Sequence, residues 1–286
     1  VNHDTLQIRE LTLDDMHTVQ HMETNIEDDY VLRVFPKLVQ SNSHNIYGLF
    51  DTNHLVAIAG ASYFPGGNVM LGRLRTDKRF FGKGHATELL MMIKSNIEKD
   101  STINWIGANT NVGNVPARRV LEKIGLKEMT TLYSLPLKDE TKLHAYPGEI
   151  WQEVTHVKDK RNLLDSVQQN KLGGVYPYEC YYPLPLSQEL VSDIHLQSTC
   201  FYLNPANDRF LAIKTDQKDQ LYAHAKYFWN DHFTQAGFWE TIYHFVNKHP
   251  EVCKPWIDFS MQGFYSIPDL NAFESKDPWI LYGITI

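Results

Sequence analysis

The sequence predicts a mixed α/β fold, and three observations predict it. Over residues 6–137 apolar positions recur now with a period of two, now of 3.6. A turn bearing Gly82 and Gly84 separates a strand-like stretch from a strongly helical one. A polar, turn-rich segment, Lys138–Lys142 and on to Pro147 and Gly148, then divides this half from an aromatic-rich remainder. The expected organisation is a first domain over residues 1–138 and a second α/β domain over 147–286.

Leu6, Ile8 and Leu11 read as a first strand, and Thr12–Asp15 caps a helix carrying Met16, Val19 and Met22. A second helix is predicted from Asp29 to Gln40, with Val31, Val34, Phe35 and Leu38 on its buried side and Pro36 as a kink. Strands follow at Ile46–Phe50 and Leu55–Tyr63, joined by a turn at Asp51–Asn53, and Gly66–Gly67 turns into a strand at Val69–Thr76. Residues 85–98 carry the stripe Leu89, Leu90, Met92, Ile93 and Ile97 of a helix. Ile103–Ala108 is a strand, Val115–Ile124 a helix ended by Gly125, and Met129–Leu137 a last strand. In the second half, Phe210–Ile213, Trp256–Met261 and Trp279–Ile286 read as strands. One long helix is expected from Leu221 to Val246, with Gly237 as a break. This part is compatible with a reduced copy of the first.

Charge narrows the function. The net charge of −7, with no Lys/Arg block, argues against nucleic acid or an anionic membrane as a general partner. No apolar run is long enough to cross a bilayer, and the first residues do not read as a signal peptide. Cys180, Cys200 and Cys253, without a C-x-x-C, fit reduced core thiols in a cytoplasmic protein. The thirteen histidines show no metal spacing, so no metal is expected.

The informative stretch is Leu74–Leu90. A strand ends at Thr76, a short connection carries Gly82 and Gly84, and a helix starts near His85. Glycines let a bulky ligand approach the backbone, and the unpaired N–H groups of a helix start favour an anion. Lys78, Arg79 and Lys83 add positive charge locally, and a pyrophosphate suits the place. Neither the Walker pattern nor G-x-G-x-x-G is present.

A second element stands some 30 residues on, Asn114-Val-Pro-Ala-Arg-Arg-Val-Leu-Glu-Lys-Ile-Gly-Leu126. Together the two segments resemble the GNAT superfamily of acyl-CoA N-acyltransferases, whose signature is [Q/R]-x-x-G-x-[G/A] opening a helix, then N-x-x-A-x-x-x-[Y]-E-K-x-G-[F]. The resemblance covers residues 5–137 and implies acetyl-CoA as donor, one per chain. It implies that backbone groups of Leu74, Arg75 and Thr76 lie along the pantetheine. Phe81, Gly82, Lys83, Gly84, His85 and Ala86 would hold the pyrophosphate, and Asn114 the pantetheine arm, a role compatible with capping its own helix. Two positions depart from the pattern. Phe81 stands where Arg or Gln is usual. Leu121 replaces the tyrosine that protonates the leaving thiolate, and leucine has no proton to give. Tyr133 is the candidate acid in its place, with a buried structural ring as the competing reading.

For a base, the strand Val69–Thr76 holds no carboxylate. Glu23, Glu27, Asp28 and Asp29 lie where the family forms its acceptor site, and Glu23 is the candidate. A solvated surface charge is the competing reading for each. The stretches Asp29–Phe35 and Gly72–Thr76 resemble a group within the superfamily that includes histidine N-acetyltransferase-like proteins with an additional C-terminal domain. That resemblance implies a small amino-acid-like acceptor, met by Asp29, Tyr30, Arg33 and Arg73, by a protein acting as monomer or homodimer. Acetylation of a protein N-terminus or lysine, and a non-catalytic acyl-CoA-binding regulator, are the alternatives.

Overall fold

The computed structural model describes residues 6–252, 254–274 and 277–286, so Cys253 lies outside the described residues. The chain forms two compact units. The first takes residues up to Glu128 together with Tyr282–Ile286, and the second takes Met129–Leu281.

In the first unit β1 (Leu6–Glu10), α1 (Met16–Gln20), α2 (Tyr30–Val39), β2 (His44–Asp51), β3 (His54–Phe64) and β4 (Asn68–Thr76) follow in order. After them come α3 (His85–Ile97), β5 (Trp105–Asn111) and α4 (Val115–Lys123). β1 to β4 form an antiparallel ladder, and β5 runs parallel to β4, with α3 as the crossover. The N–H of Ile286 donates to Asn104 O at 2.9 Å, so the chain end lies beside β5. α2 runs through Pro36 and buries Val31, Phe35 and Leu38 as its periodicity predicts, against Leu11, Val19, Ile46 and Ile58. Burying a side chain such as Phe35 completely contributes roughly 1.5–3 kcal/mol.

β6 (Lys127–Pro136) leads into the second unit, where its residues from Leu132 to Pro136 pair antiparallel with a strand more than 100 residues away. The expected boundary at 138–147 therefore differs from the packing, which divides between Glu128 and Met129. The second unit continues with β7 (Gln152–Val154), α5 (Val157–Asp165), the hairpin β8 (Val175–Glu179) and β9 (Tyr182–Pro185), and α6 (Asp193–Gln197). Then come β10 (Cys200–Leu203), β11 (Phe210–Gln217), β12 (Leu221–Lys226), α7 (Phe238–Lys248), β13 (Lys254–Ser260), α8 (Met261–Tyr265) and β14 (Trp279–Thr285), whose last residues belong to the first unit.

Its ladder runs β7-β10-β11-β12-β13-β6, antiparallel except for β12 and β13, which are parallel with α7 between them. Strand, helices, three antiparallel strands, helix, parallel strand is the order of the first unit again, with the β8–β9 hairpin inserted. The long helix expected over 221–246 is thus a strand, a turn and a shorter helix. Tyr222–Ala225 is paired on both sides, to β11 and β13, and Gly237 adopts the left-handed conformation at the start of α7. The aromatic surplus is core: Trp151, Tyr202, Tyr227, Phe238, Trp239 and Phe259 pack in one cluster.

Candidate active site

The ladder between β4 and β5 stops early. It pairs Asn68–Leu71 with Trp105–Ala108 and goes no further, although β4 runs on to Thr76 and stays paired to β3 at Arg75 and Thr76. A bulge causes the divergence. Opposite Ile58–Gly60 the register slips, so that Arg73 and Leu74 face the single residue Ala59, and Arg73 takes a left-handed φ of 54°. From Gly72 to Thr76 the β5-facing backbone therefore has no ladder among the described residues, and its polar groups call for a ligand or water. A Cβ at Gly72 would meet nothing within 4 Å.

The loop after β4 is organised by Asp77, which is fully buried. Its carboxylate accepts from the N–H groups of Arg79 at 3.0 Å and Glu23 at 3.2 Å, and from Arg79 Nε at 2.8 Å. The Arg79 hydrogen bond holds this carboxyl below the usual carboxylate range, burial opposing it. Gly82 and Gly84 have φ of 80° and 84°, and a Cβ at either would meet only open space. Gly84 opens α3 without a capping side chain, leaving the first-turn N–H groups directed at that space.

The basic side chains of the loop are engaged within the protein. Lys78 pairs with Glu23 at 3.0 Å, Arg79 holds Asp77, and Lys83 lies 5.1 Å from the Phe80 ring centroid. The donors left open at this loop are therefore mainly main-chain N–H groups. Phe81 is exposed, so the loop loses no packing by lacking Arg or Gln there. His85 is buried beside Phe80, and neither ring nitrogen has a protein hydrogen-bond partner.

Asn114 caps α4, its side chain accepting from Ala117 N at 3.2 Å. Leu121 is buried on the same helix. One partner of α4 escaped the sequence reading. The hydroxyl of Tyr282, from the chain end, lies 3.2 Å from Arg118 Nε and 3.0 Å from Glu128 Oε1, and Arg118 also donates to Val112 O at 3.2 Å. No local motif marks a residue 164 positions away.

On the other side of β4, Asp29 caps α2 by accepting from Val31 N at 3.0 Å and takes both arms of Arg75, at 2.6 and 2.8 Å. Burial is the largest influence and raises its pKa, but the Arg75 hydrogen bonds, the Val31 N–H and the charges of Arg75 and Arg33 together hold it below the usual range. The Arg75 guanidinium lies 5.7 Å from the centroid of the half-exposed Tyr30 ring. Arg33 pairs with Asp28 at the surface. Arg73 Nη1 donates to Ser62 Oγ at 2.9 Å, and its side chain passes over Gly60, 3.6 Å from where a Cβ would be.

The first unit contains Leu74–Thr76, Phe81–Ala86, Asn114, Asp29, Tyr30, Arg33, Arg73 and Glu23; among them Arg75 meets Asp29 and Tyr30, and Glu23 meets Lys78. It does not include Tyr133, which lies in the core of the second unit, stacked on Phe264 with centroids 3.8 Å apart. Burial raises the Tyr133 pKa. Glu23 is the ion-pair partner of Lys78, with Arg79 at 3.8 Å.

A strand splayed at a bulge, followed by a glycine-bearing helix start, fits a ligand that is extended at one end and anionic at the other. Residues 6–126 match the family model of the acetyltransferase (GNAT) family. The chain carries a GNAT acetyltransferase domain. A domain of this family is an acyltransferase whose acetyl donor is acetyl-CoA. At Gly72, Gly82 and Gly84 a Cβ would meet only open space. No curated protein sequence matches the chain. The chain is similar to the structure of a GCN5-related N-acetyltransferase from Sphaerobacter thermophilus, at 10% identity over 99% of this chain and 96% of that one, with a TM-score of 0.60. It is also similar to that of a proposed acetyltransferase from Thermoplasma acidophilum, at 12% identity over 98% and 100%, with a TM-score of 0.57. Likeness at these identities is likeness of fold.

The second unit repeats the helix start but not the cradle. Gly237, with φ of 79°, opens α7 as Gly84 opens α3. A Cβ there would lie 2.0 Å from the carbonyl oxygen of Glu149. Trp151 Nε1 donates to Ala236 O at 2.9 Å and Trp151 N to Thr241 Oγ1 at 2.9 Å, which holds residues 148–151 in the space. The chain itself fills the space that stands open at Gly84.

Proposed function

We propose that this GNAT acetyltransferase acetylates the primary amine of a small amino-acid-like molecule, by direct attack on acetyl-CoA in a ternary complex. One observation carries the choice of acceptor: the bulge sets Arg73, a half-buried guanidinium, in the strand where the ladder opens. A guanidinium there suits an acceptor carboxylate, because its fork binds two oxygens. Tyr30, beside Arg75, offers an apolar face with a polar tip.

The chemistry balances without a covalent enzyme intermediate. The neutral amine attacks the thioester carbon, the C–S bond breaks, and the amine proton ends on the CoA sulfur. Leu121 cannot supply that proton, and Glu23 is tied into ion pairs with the phosphate loop. On this reading the rate rests mainly on holding amine and thioester together, with water carrying protons. Incubation with acetyl-CoA and a panel of amino acids, polyamines and lysine peptides, following thiol release, tests it. Turnover confined to amines bearing a carboxylate is expected, with a raised KM in Arg73→Lys. Turnover on lysine peptides in preference to free amino acids would overturn it, and donor binding without any turnover would favour a regulatory module.

A further inference from the structure

One face of the sheet in the second unit carries a buried polar row. Ser134 on β6, Asp258 on β13, His224 on β12 and Asp216 on β11 stand on neighbouring strands, on the face opposite Ile213, Ala223, Ala225 and Ile257. The β8–β9 hairpin, inserted relative to the first unit, turns at Cys180 and Tyr181 and lays Cys180 against Tyr222 and Trp256 on this face. Cys180 and His224 are 0 % exposed, and Lys226, next on the same side of β12, is 1 % exposed. One donor atom each from Cys180, Asp216 and His224 lie within 4.8 Å of one another. Their surroundings hold them in place. Cys180 N donates to Asp216 Oδ2 at 2.7 Å, and Lys218 bridges Asp216 and Glu179, at 3.4 and 2.9 Å. His224 Nε2 lies 2.6 Å from Asp258 Oδ2, and Asp258 Oδ1 accepts from Ser134 Oγ at 2.5 Å. A carboxylate only accepts, so the ring proton sits on Nε2 and the lone pair on Nδ1. Carboxylates orient metal-bound histidines in this way. The Nδ1 lone pair meets only Lys226 Nζ, at 3.3 Å, whose other hydrogen-bond contact is His224 O at 3.5 Å. Both are longer than the usual ~2.7–3.2 Å, and among the described residues Lys226 makes no ion pair. A buried cation so poorly met leaves the cluster unsatisfied by the protein's own contacts.

We infer that Cys180, Asp216 and His224 form a structural zinc site, with Asp258 as the positioning residue behind His224, and that the ion fastens the hairpin tip to the sheet. Thiolate, imidazole and carboxylate together suit zinc, whereas magnesium and calcium take oxygen donors alone. Zinc binds these donors at about 2.0–2.3 Å in a tetrahedron, which sets them roughly 3–4 Å apart. A spread of 4.8 Å therefore closes by about 1 Å when the ion enters. Cys180 loses its thiol proton to solvent in the same step, since the thiolate is the ligand. The hairpin belongs to a two-stranded sheet of its own, so a bond from its tip to β11 and β12 ties it to the main sheet. No sequence motif marks the site, because its donors come from a hairpin turn and two separate strands.

The test uses the full chain, reduced and without an affinity tag, dialysed against zinc and then against buffer. Metal analysis is expected to find one tightly held zinc per chain, not displaced by magnesium or calcium. Removing it with a chelator should lower the melting temperature, and in hydrogen exchange zinc should protect the amides of 179–182. His17 and His21, stacked with centroids 4.1 Å apart, can also take up zinc, but without a thiol. Cobalt(II) in place of zinc separates the two, because only a thiolate ligand gives a sulfur-to-cobalt charge-transfer band. The band should be present in the parent and absent in Cys180→Ser, which should weaken zinc binding about 100-fold or more. Asp258→Asn should keep the band and weaken zinc about 10–100-fold. Lys226→Met removes a competing cation and no ligand, and should bind zinc at least as tightly. No tightly held zinc in the parent, or a cobalt band unchanged in Cys180→Ser, would overturn the inference. A parent without zinc and a lowered melting temperature in Lys226→Met would overturn it too, and would assign the cationic place to the lysine alone.

Discussion

Gly84 and Gly237 share a left-handed conformation at a helix start and differ in what fills the space before them, so one added methyl group separates their roles. For Gly84→Ala the protein offers no obstacle, since a Cβ meets nothing within 4 Å. The cost to the fold is the left-handed backbone alone, about 1–2 kcal/mol. The methyl enters the cradle and keeps the pyrophosphate from the N–H groups. Acetyl-CoA at 100 times its Kd stabilises the parent by about 2.7 kcal/mol. If the methyl weakens binding tenfold, the same concentration gives only about 1.4 kcal/mol by the same relation, and less if binding is lost further.

For Gly237→Ala the Cβ would stand 2.0 Å from Glu149 O and 3.2 Å from Trp151 Nε1. Backbone must move, and the buried Trp151 indole loses its bond to Ala236. Overpacking of this kind adds about 1–3 kcal/mol to the conformational cost, for a loss of roughly 2–5 kcal/mol. Thermal melts of both variants, with and without saturating acetyl-CoA, are the assay. Gly84→Ala should melt close to the parent alone and gain little from donor, whereas Gly237→Ala should melt well below it and keep the donor-induced increment. Full donor stabilisation of Gly84→Ala would refute the placement of the anion.

Tyr282→Phe removes a hydroxyl that joins Arg118 and Glu128 and should cost about 1–2 kcal/mol in urea unfolding, together with weaker acetyl-CoA binding through a loosened α4; unchanged values would show that the chain end does not brace the helix. Leu121→Tyr restores a proton donor at a buried site, and should raise kcat at high pH more than at neutral pH if thiolate protonation limits the rate; a flat ratio would place the limit elsewhere. Burial lowers His195 and His232 to about 3, with Lys226 and Lys214 adding to the effect at His195 and Asp231 opposing it at His232. Unfolded histidines protonate near ~6.5, so below that pH the unfolded chain binds more protons and stability falls, by up to about 1.4 kcal/mol per pH unit for each residue. Urea midpoints between pH 7 and about 5.5, above the range where most carboxylates titrate, should decline in the parent and decline less in His232→Phe; parallel curves would show that His232 is not the cause.

Much of the site was legible because its signals are local. The spacing Gly82-Lys83-Gly84 before an apolar-striped helix, and Asn114 three residues before Ala117, are backbone requirements written in consecutive residues. The structure gives them as two left-handed glycines and an N-cap. The stripe Val31, Phe35, Leu38 likewise gave the buried face of α2. The stretch Leu221–Val246 misled for a physical reason. Its aromatic residues satisfy a helical period on paper, yet Tyr222–Ala225 lies between two strands that supply its backbone bonds, and only the ladder decides that.

What the sequence determined by itself, then, is the glycine-bearing helix start at Gly82–Gly84 and the family to which its motif and that of Asn114–Leu126 belong, since both depend on short-range backbone geometry. Tertiary structure decided the rest. It tied Arg75 to Asp29 across 46 residues and Glu23 to Lys78 across 55, put Tyr133 in the core of the second unit, and set Tyr282 against α4. It also filled the Gly237 cradle with Glu149. Each of these contacts joins residues far apart in the chain, where no spacing rule operates and only packing and charge pairing choose the partner.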